Sequence, residues 1–160
     1  MAAVILDGAG RAAAWREEIA AEAAELRART GVTPGLGVVL AGDDPASASY
    51  VAGKRRACQA AGFFAADRRL PASAGTADVV AAVEMFNGDP RIHGILVQLP
   101  LPRQVDEQEV IAAIRPDKDA DGFTPLNVGR MLLGLPCFLP CTPQGIIRLL
   151  ADSGIETAGR

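Results

Sequence analysis

Short apolar runs bounded by glycine, proline and aspartate alternate along this chain with longer helix-patterned stretches, and that alternation constrains the fold more than any other feature. Gly35 to Leu40, GLGVVL, lies between Pro34 and the Gly42-Asp43-Asp44-Pro45 turn and predicts a buried strand. Gly94 to Leu99, GILVQL, predicts another, the most apolar of the set. Phe63 to Leu70 predicts a third, although adjacent Phe63 and Phe64 break strict period two. The strongest helix signal spans residues 11 to 30, where Trp15, Ile19 and Leu26, with Ala12 and Ala23 between them, trace one apolar face. Gly31 stops it as a left-handed cap. Ser47 to Ala61 and Thr76 to Phe86 repeat the helical pattern, the latter with Val79, Val80, Val83 and Phe86 on one side. Asp106 followed by Glu109 resembles a capping box and opens a short helix through Ile114. Thr142-Pro143 predicts an N-cap and first-turn proline for a last helix over Ile146 to Leu150. Strands alternating with helices in this way imply βαβ units: an α/β fold of three layers, α/β/α, with a mainly parallel sheet.

Composition narrows the partners. A chain of 160 residues folds with roughly 7,600 Å² of surface when compact, burying about two-thirds of what it exposes extended. One domain with one core is the expectation. Lys and Arg number 16 against 19 Asp and Glu, and aromatics are 4%. Neither a basic stripe nor a base-stacking platform is present, so a small molecule is a better-supported partner than nucleic acid. No uninterrupted apolar run is long enough to span a membrane. The start, MAAVILDGAG, lacks a basic leader and does not read as a signal peptide. Three cysteines and one histidine are too few for an ordinary zinc site, and reduced thiols of a cytoplasmic protein are the plain reading. The tail from Gly154 to Arg160 reads as a connection toward something further.

Ligands of open parallel sheets bind outside the carboxyl ends of the strands, which points to three places. After GLGVVL comes a helix carrying Tyr50 and Lys54, four residues apart and so on one face. A phenol ring can stack on a flat ligand while a shielded amine moves or directs a proton. The same spacing also suits a solvated lysine on a surface helix. Gln98, at the end of GILVQL and just before Pro100-Leu101-Pro102, is either a ligand-facing amide or a structural one bonded to backbone. In Lys118-Asp119-Ala120-Asp121-Gly122-Phe123, Asp121 either accepts paired hydrogen bonds from an amino-heterocycle or belongs to an ordinary acidic turn. Gly8-Ala9-Gly10 lacks the full dinucleotide fingerprint, and neither a phosphate loop nor a nucleophile elbow occurs. His93, at a strand entrance, reads as structural, and Cys137 and Cys141 as small buried hydrophobes.

The segments ASASYVAGKRRACQAAG, HGILVQLPLP, PDKDADGF and PCTPQG, in this order and spacing, closely resemble the bifunctional methylenetetrahydrofolate dehydrogenase/methenyltetrahydrofolate cyclohydrolase family over nearly the whole chain. The combination of QLPLP, DADGF and PCTP is highly specific. The resemblance implies a folate-binding catalytic domain over residues 1–140. Residues 141–160 would be a hinge helix and the start of a linker to a Rossmann domain that binds NAD(P), absent from this sequence. It implies a catalytic set of Lys54, Gln98 and Asp121, with Lys54 assisting proton transfer and water attack and Gln98 holding that lysine. Tyr50, Gln98, Leu99, Pro100 and Asp121 would contact the tetrahydrofolate substrate, Tyr50 by stacking on its aminobenzoyl part and Asp121 at the pterin edge. For the complete protein it implies NADP as cofactor, a place in one-carbon metabolism in the cytoplasm, and a homodimer. The alternatives are an isolated folate-binding module without activity and, more remotely, the substrate domain of an amino-acid dehydrogenase. DADGF and QLPLP speak against the last.

Overall fold

The computed structural model describes residues 5–159, so the first four residues of the amino-terminal reading, and Arg160, lie outside it. The elements run α1 Gly8–Thr30, β1 Gly35–Ala41, α2 Pro45–Ala60, β2 Phe64–Leu70, α3 Thr76–Gly88, β3 Gly94–Val97, α4 Glu107–Ala113, α5 Pro125–Leu132 and α6 Cys141–Asp152. The three strands form one parallel sheet in the order β2-β1-β3. Gly35 pairs with Phe64 and Ala41 with Leu70 along one side of β1, and Leu36 with Gly94 along the other.

Period-two alternation along β1 divides the core into two halves. Val39 and Ala41, with Ile95 and Val97, face Val79, Val83 and Phe86 of α3 and Val110 of α4. Val38 and Leu40, with Leu96, face Val51 and Ala48 of α2. Helices therefore cover both faces, giving the three layers that the strand–helix alternation implies. Gly37 belongs to the same packing: a Cβ there would stand 2.8 Å from the Phe86 ring, so any larger residue would push the ring out of the core.

Several local expectations are corrected. The ladder of β3 stops at Val97, with Gln98 N still donating to Val39 O at 2.8 Å; Pro100 has no N–H with which to continue it. Helix α1 starts at Gly8, where the Asp7 carboxylate accepts from Gly10 N. Its apolar face is only partly covered, since Ala23 is its one fully buried residue and Ile19 is exposed. Asp106 caps α4 by accepting from Gln108 N and Glu109 N, but its own N–H donates to Thr76 Oγ1 at 2.8 Å in place of the reciprocal glutamate bond. Helix α6 begins at Cys141 with Pro140 as N-cap, which puts Thr142 and Pro143 inside the first turn. Proline is tolerated there because the first four N–H groups have no helical partner. Helix α5 has no counterpart among the expected elements. The chain exposes 10030 Å², well above the compact value, because the segment after Asp121 turns much apolar surface outward. Leu132 and Leu133 are 79% and 75% exposed.

Candidate functional site

Three loops at the carboxyl ends of the strands meet around one side of β1 and β3. Asp44 accepts from Ser47 N at 2.7 Å and, with Pro45 in the first turn, starts α2 directly after β1. That start fixes the direction of α2 and brings Lys54, one turn after Tyr50, over the end of β3. There Lys54 Nζ donates to Gln98 Oε1 at 3.0 Å, across 44 positions of sequence. The Gln98 Nε2 in turn donates to Leu99 O at 2.7 Å. The amide is thus ligand-side and backbone-tethered at once, a combination of the two alternatives open from sequence. The Leu99–Pro100 peptide is cis.

Asp121 arrives from the other direction. Residues 118–120 run beside β3 as a parallel stub: Ile95 N donates to Lys118 O and Ala120 N to Ile95 O. Gly122, at φ 67, then turns the chain. Burial pushes the Asp121 carboxyl above its ordinary value; the Lys54 ammonium opposes this, the Asp119 charge adds to it, and Cys141 opposes it. Lys54, Asp119 and Cys141 are therefore the groups that Asp121 feels. A cleft of only about 10 Å³ lies among Leu99, Asp121 and Phe123. Larger hollows, of about 420 and 460 Å³, lie at the opposite ends of the strands around His93 and contain none of these groups. The small cleft is walled also by Ile95, Val97, Ile111, Ile114 and Asp119 and holds neither Lys54 nor Gln98, so the candidate site is marked by the Lys54–Gln98 bond near Asp121 and not by a cavity.

Tyr50 shares the helix face of Lys54 but is 66% exposed and stands at the open rim. Pro100 is also exposed, and Leu99 half-buried. Lys54, Gln98 and Asp121 are therefore brought together, with Leu99 and Pro100 beside Gln98 and Tyr50 at the margin. The reading of Cys137 and Cys141 as buried hydrophobes is corrected: Cys137 is half-buried and Cys141 exposed. Cys141 Sγ donates to Ala120 O at 3.2 Å, which puts the start of α6 against the Asp121 turn. Nothing in the spacing of Cys141 signals this. His93 is structural as expected, accepting from Gly35 N through Nδ1 at 3.1 Å.

Residues 6–121 match the family model described as tetrahydrofolate dehydrogenase/cyclohydrolase, catalytic domain. The chain is 51% identical over 158 residues to the bifunctional protein FolD of Geotalea uraniireducens, covering 99% of this chain and 56% of that one. It is 54% identical over 159 residues to FolD of Dehalococcoides mccartyi, with 99% and 54% covered. The FolD methylenetetrahydrofolate dehydrogenase/cyclohydrolase of Campylobacter jejuni superposes with a TM-score of 0.93 at 39% identity, covering 96% of this chain and 55% of that one. The Trypanosoma brucei enzyme, solved with NADP and an inhibitor, superposes with a TM-score of 0.94 at 36% identity, with 99% and 54% covered. The chain spans about half the length of the curated relatives it matches.

Proposed function

The chain belongs to the tetrahydrofolate dehydrogenase/cyclohydrolase family, and from that premise we propose that it is the folate-handling part of a bifunctional one-carbon enzyme. The complete protein oxidises methylenetetrahydrofolate to methenyltetrahydrofolate with NADP and hydrolyses the product to formyltetrahydrofolate. In this reading residues 1–140 are the catalytic folate domain and 141–160 a hinge helix and the start of a linker. The complete protein is a cytoplasmic homodimer. No helix among the described residues is long and apolar enough to cross a membrane.

Carboxylate caps at two helix starts disfavour a dinucleotide phosphate there. The N-termini of α1 and α2, where a dinucleotide phosphate would bind, are each occupied by a capping carboxylate, Asp7 and Asp44. The cofactor is assigned to the part of the protein beyond this chain.

The hydrolytic step follows from residues at hand. Water attacks the methenyl carbon, forming a C–O bond. Lys54 Nζ, in its amine form, takes one proton from that water; as the carbon–N5 bond breaks, the resulting ammonium returns this proton to N5 and the remaining hydroxyl proton leaves to solvent, giving the formyl C=O. Gln98 Oε1, 3.0 Å from Nζ, fixes the amine where that proton leaves. Asp121, raised by burial, keeps its proton to higher pH than an ordinary carboxyl, so it can donate as well as accept along the amide-like edge of a pterin. Tyr50 offers a ring at the rim for the aminobenzoyl part. Leu99 and Pro100 form the edge beside Gln98.

The observation that carries this reading is the Lys54–Gln98 bond with Asp121 beside it. Its test is absorbance-monitored hydrolysis of methenyltetrahydrofolate by the purified chain. We expect turnover above buffer, a return to the buffer rate in Lys54→Met, which removes the proton-transfer group, and a smaller but clear loss in Gln98→Ala. Wild-type turnover in Lys54→Met refutes the reading. The exposed Tyr50 favours a second one, a folate-binding module without turnover; wild-type hydrolysis equal to buffer, with folate still bound in calorimetry, selects it.

A further inference from the structure

Two carboxylates separated by one alanine face very different surroundings. Asp119 is 1% exposed, at the border of the small cleft it shares with Asp121. It accepts from Phe123 N at 3.1 Å, from Thr124 N at 2.8 Å and from Asn127 Nδ2 at 2.9 Å. Asn127 is itself tethered, its Nδ2 also donating to Pro116 O at 2.9 Å. Burial raises the Asp119 carboxyl, but these donors outweigh it, so the group lies below its ordinary value and stays ionised. On the other side of the same stub, Lys118 Nζ donates to the carbonyls of Phe86, Asn87 and Asp89 at the end of α3. The stub is thus fastened to α3 by Lys118, to β3 by backbone, and to the start of α5 by Asp119. Asp121 is the carboxylate left over.

We propose that Asp119 is a positioning residue for the site: by gathering the Phe123 and Thr124 amides and the Asn127 side chain, its buried carboxylate freezes the turn that presents Asp121 to Lys54 and Cys141. The inference rests on the reading of Asp121 as a ligand-facing acid. Asp119 touches no substrate and acts only through geometry and charge. Three charge-assisted bonds in a low-dielectric interior hold a turn far more rigidly than the same bonds in water. A neighbouring permanent negative charge also disfavours ionisation of Asp121.

The test follows the Asp121 carboxyl by carbon NMR across a pH titration of the whole chain, with Asp121→Asn to assign it and hydrolysis of methenyltetrahydrofolate measured in parallel. In Asp119→Asn, which keeps size and removes the charge, we expect the Asp121 midpoint to fall by about half a pH unit or more. Hydrolysis should drop at least tenfold while circular dichroism stays that of the folded chain. A purely structural Asp119 would lower the folded fraction and shift the midpoint by its charge alone, leaving hydrolysis per folded molecule, and the midpoint in Asn127→Ala, in place. Should Asp119→Asn not fold, Asn127→Ala keeps the charge and removes one donor. It should displace the Asp121 midpoint and the Phe123 and Thr124 amide resonances. A folded variant of either kind that retains the wild-type Asp121 titration overturns the proposal. Full hydrolysis by Lys54→Met would instead remove the functional reading, and the titration would still decide the role of Asp119.

Discussion

Replacing Gly122 by alanine tests whether the turn behind Asp121 is as tightly enclosed as the geometry makes it. Gly122 has φ 67, and a Cβ there would stand 2.7 Å from Phe138 O and 2.8 Å from Leu139 C. Both are backbone atoms, which cannot swing aside as a side chain would. A left-handed conformation costs alanine about 1–2 kcal/mol, and forcing a methyl group into a filled space costs about 1–3 kcal/mol more. The reduced freedom of the unfolded chain offsets about 0.4–1 kcal/mol. The net expectation is a loss of about 2–4 kcal/mol. Gly31 supplies the control, because it has φ 74 and a Cβ there would meet nothing within 4 Å. Gly31→Ala bears the conformational cost alone, about 0.5–1 kcal/mol net. Urea unfolding of the two variants, with m unchanged, isolates the steric part as their difference. If Gly122→Ala and Gly31→Ala agree within about 0.5 kcal/mol, the Phe138–Leu139 segment yields freely. It then cannot be what holds the Asp121 turn against α6.

Two further outcomes follow from single groups. His93→Ala leaves the buried Gly35 N–H without its acceptor and should cost about 1–3 kcal/mol in urea unfolding; an unchanged midpoint would show that this bond contributes nothing. Asp121→Asn should melt above the wild type at pH 7. Burial raises the folded-state value of Asp121, so its contribution is fully present below the ordinary value of 3.8 and is lost as pH rises through the raised one. The advantage of the variant therefore closes as pH falls toward about 4, and an advantage that persists unchanged in acid, or a lower melting point at pH 7, contradicts the burial argument.

The strands and most of the helices are legible in the sequence because each is a local pattern: β-branched runs between turn residues, and apolar positions three and four apart. Thr124-Pro125 carries the same capping signal as Thr142-Pro143, and there it does mark a helix start, with Thr124 Oγ1 accepting from Asn127 N. The α5 sequence that follows is only eight residues long, about two turns, so the signal stands out only at the second place. At that second place tertiary context moves the cap to Pro140. The site is less legible. Tyr50 and Lys54 share a face by spacing alone, but the Lys54–Gln98 bond spans 44 positions and depends on which strand end α2 crosses. No local pattern encodes that crossing; the family resemblance supplies it. The roles of Asp119 and Asp121 are equally invisible, because neighbouring carboxylates look alike until a fold buries one among donors.

That last contrast gives a physical criterion for telling scaffold from site in this chain. Lys118 and Lys54 are both half-buried lysines near the stub, yet Lys118 places its ammonium on three backbone carbonyls. Lys54 meets only Gln98 among the described residues. An ammonium has three donors, so Lys118 has none left for a ligand and Lys54 has two. The same comparison separates the carboxylates. Asp119 is surrounded by donors that outweigh its burial, whereas for Asp121 the Lys54 charge and Cys141 do not outweigh burial and it lies above its ordinary value. A buried acid in that condition destabilises the fold, and a lysine with unused donors adds little to it. On the proposed reading a further molecule completes the bonding of both. A flat, amide-edged, partly cationic ligand between Lys54, Gln98 and Asp121 would complete both at once.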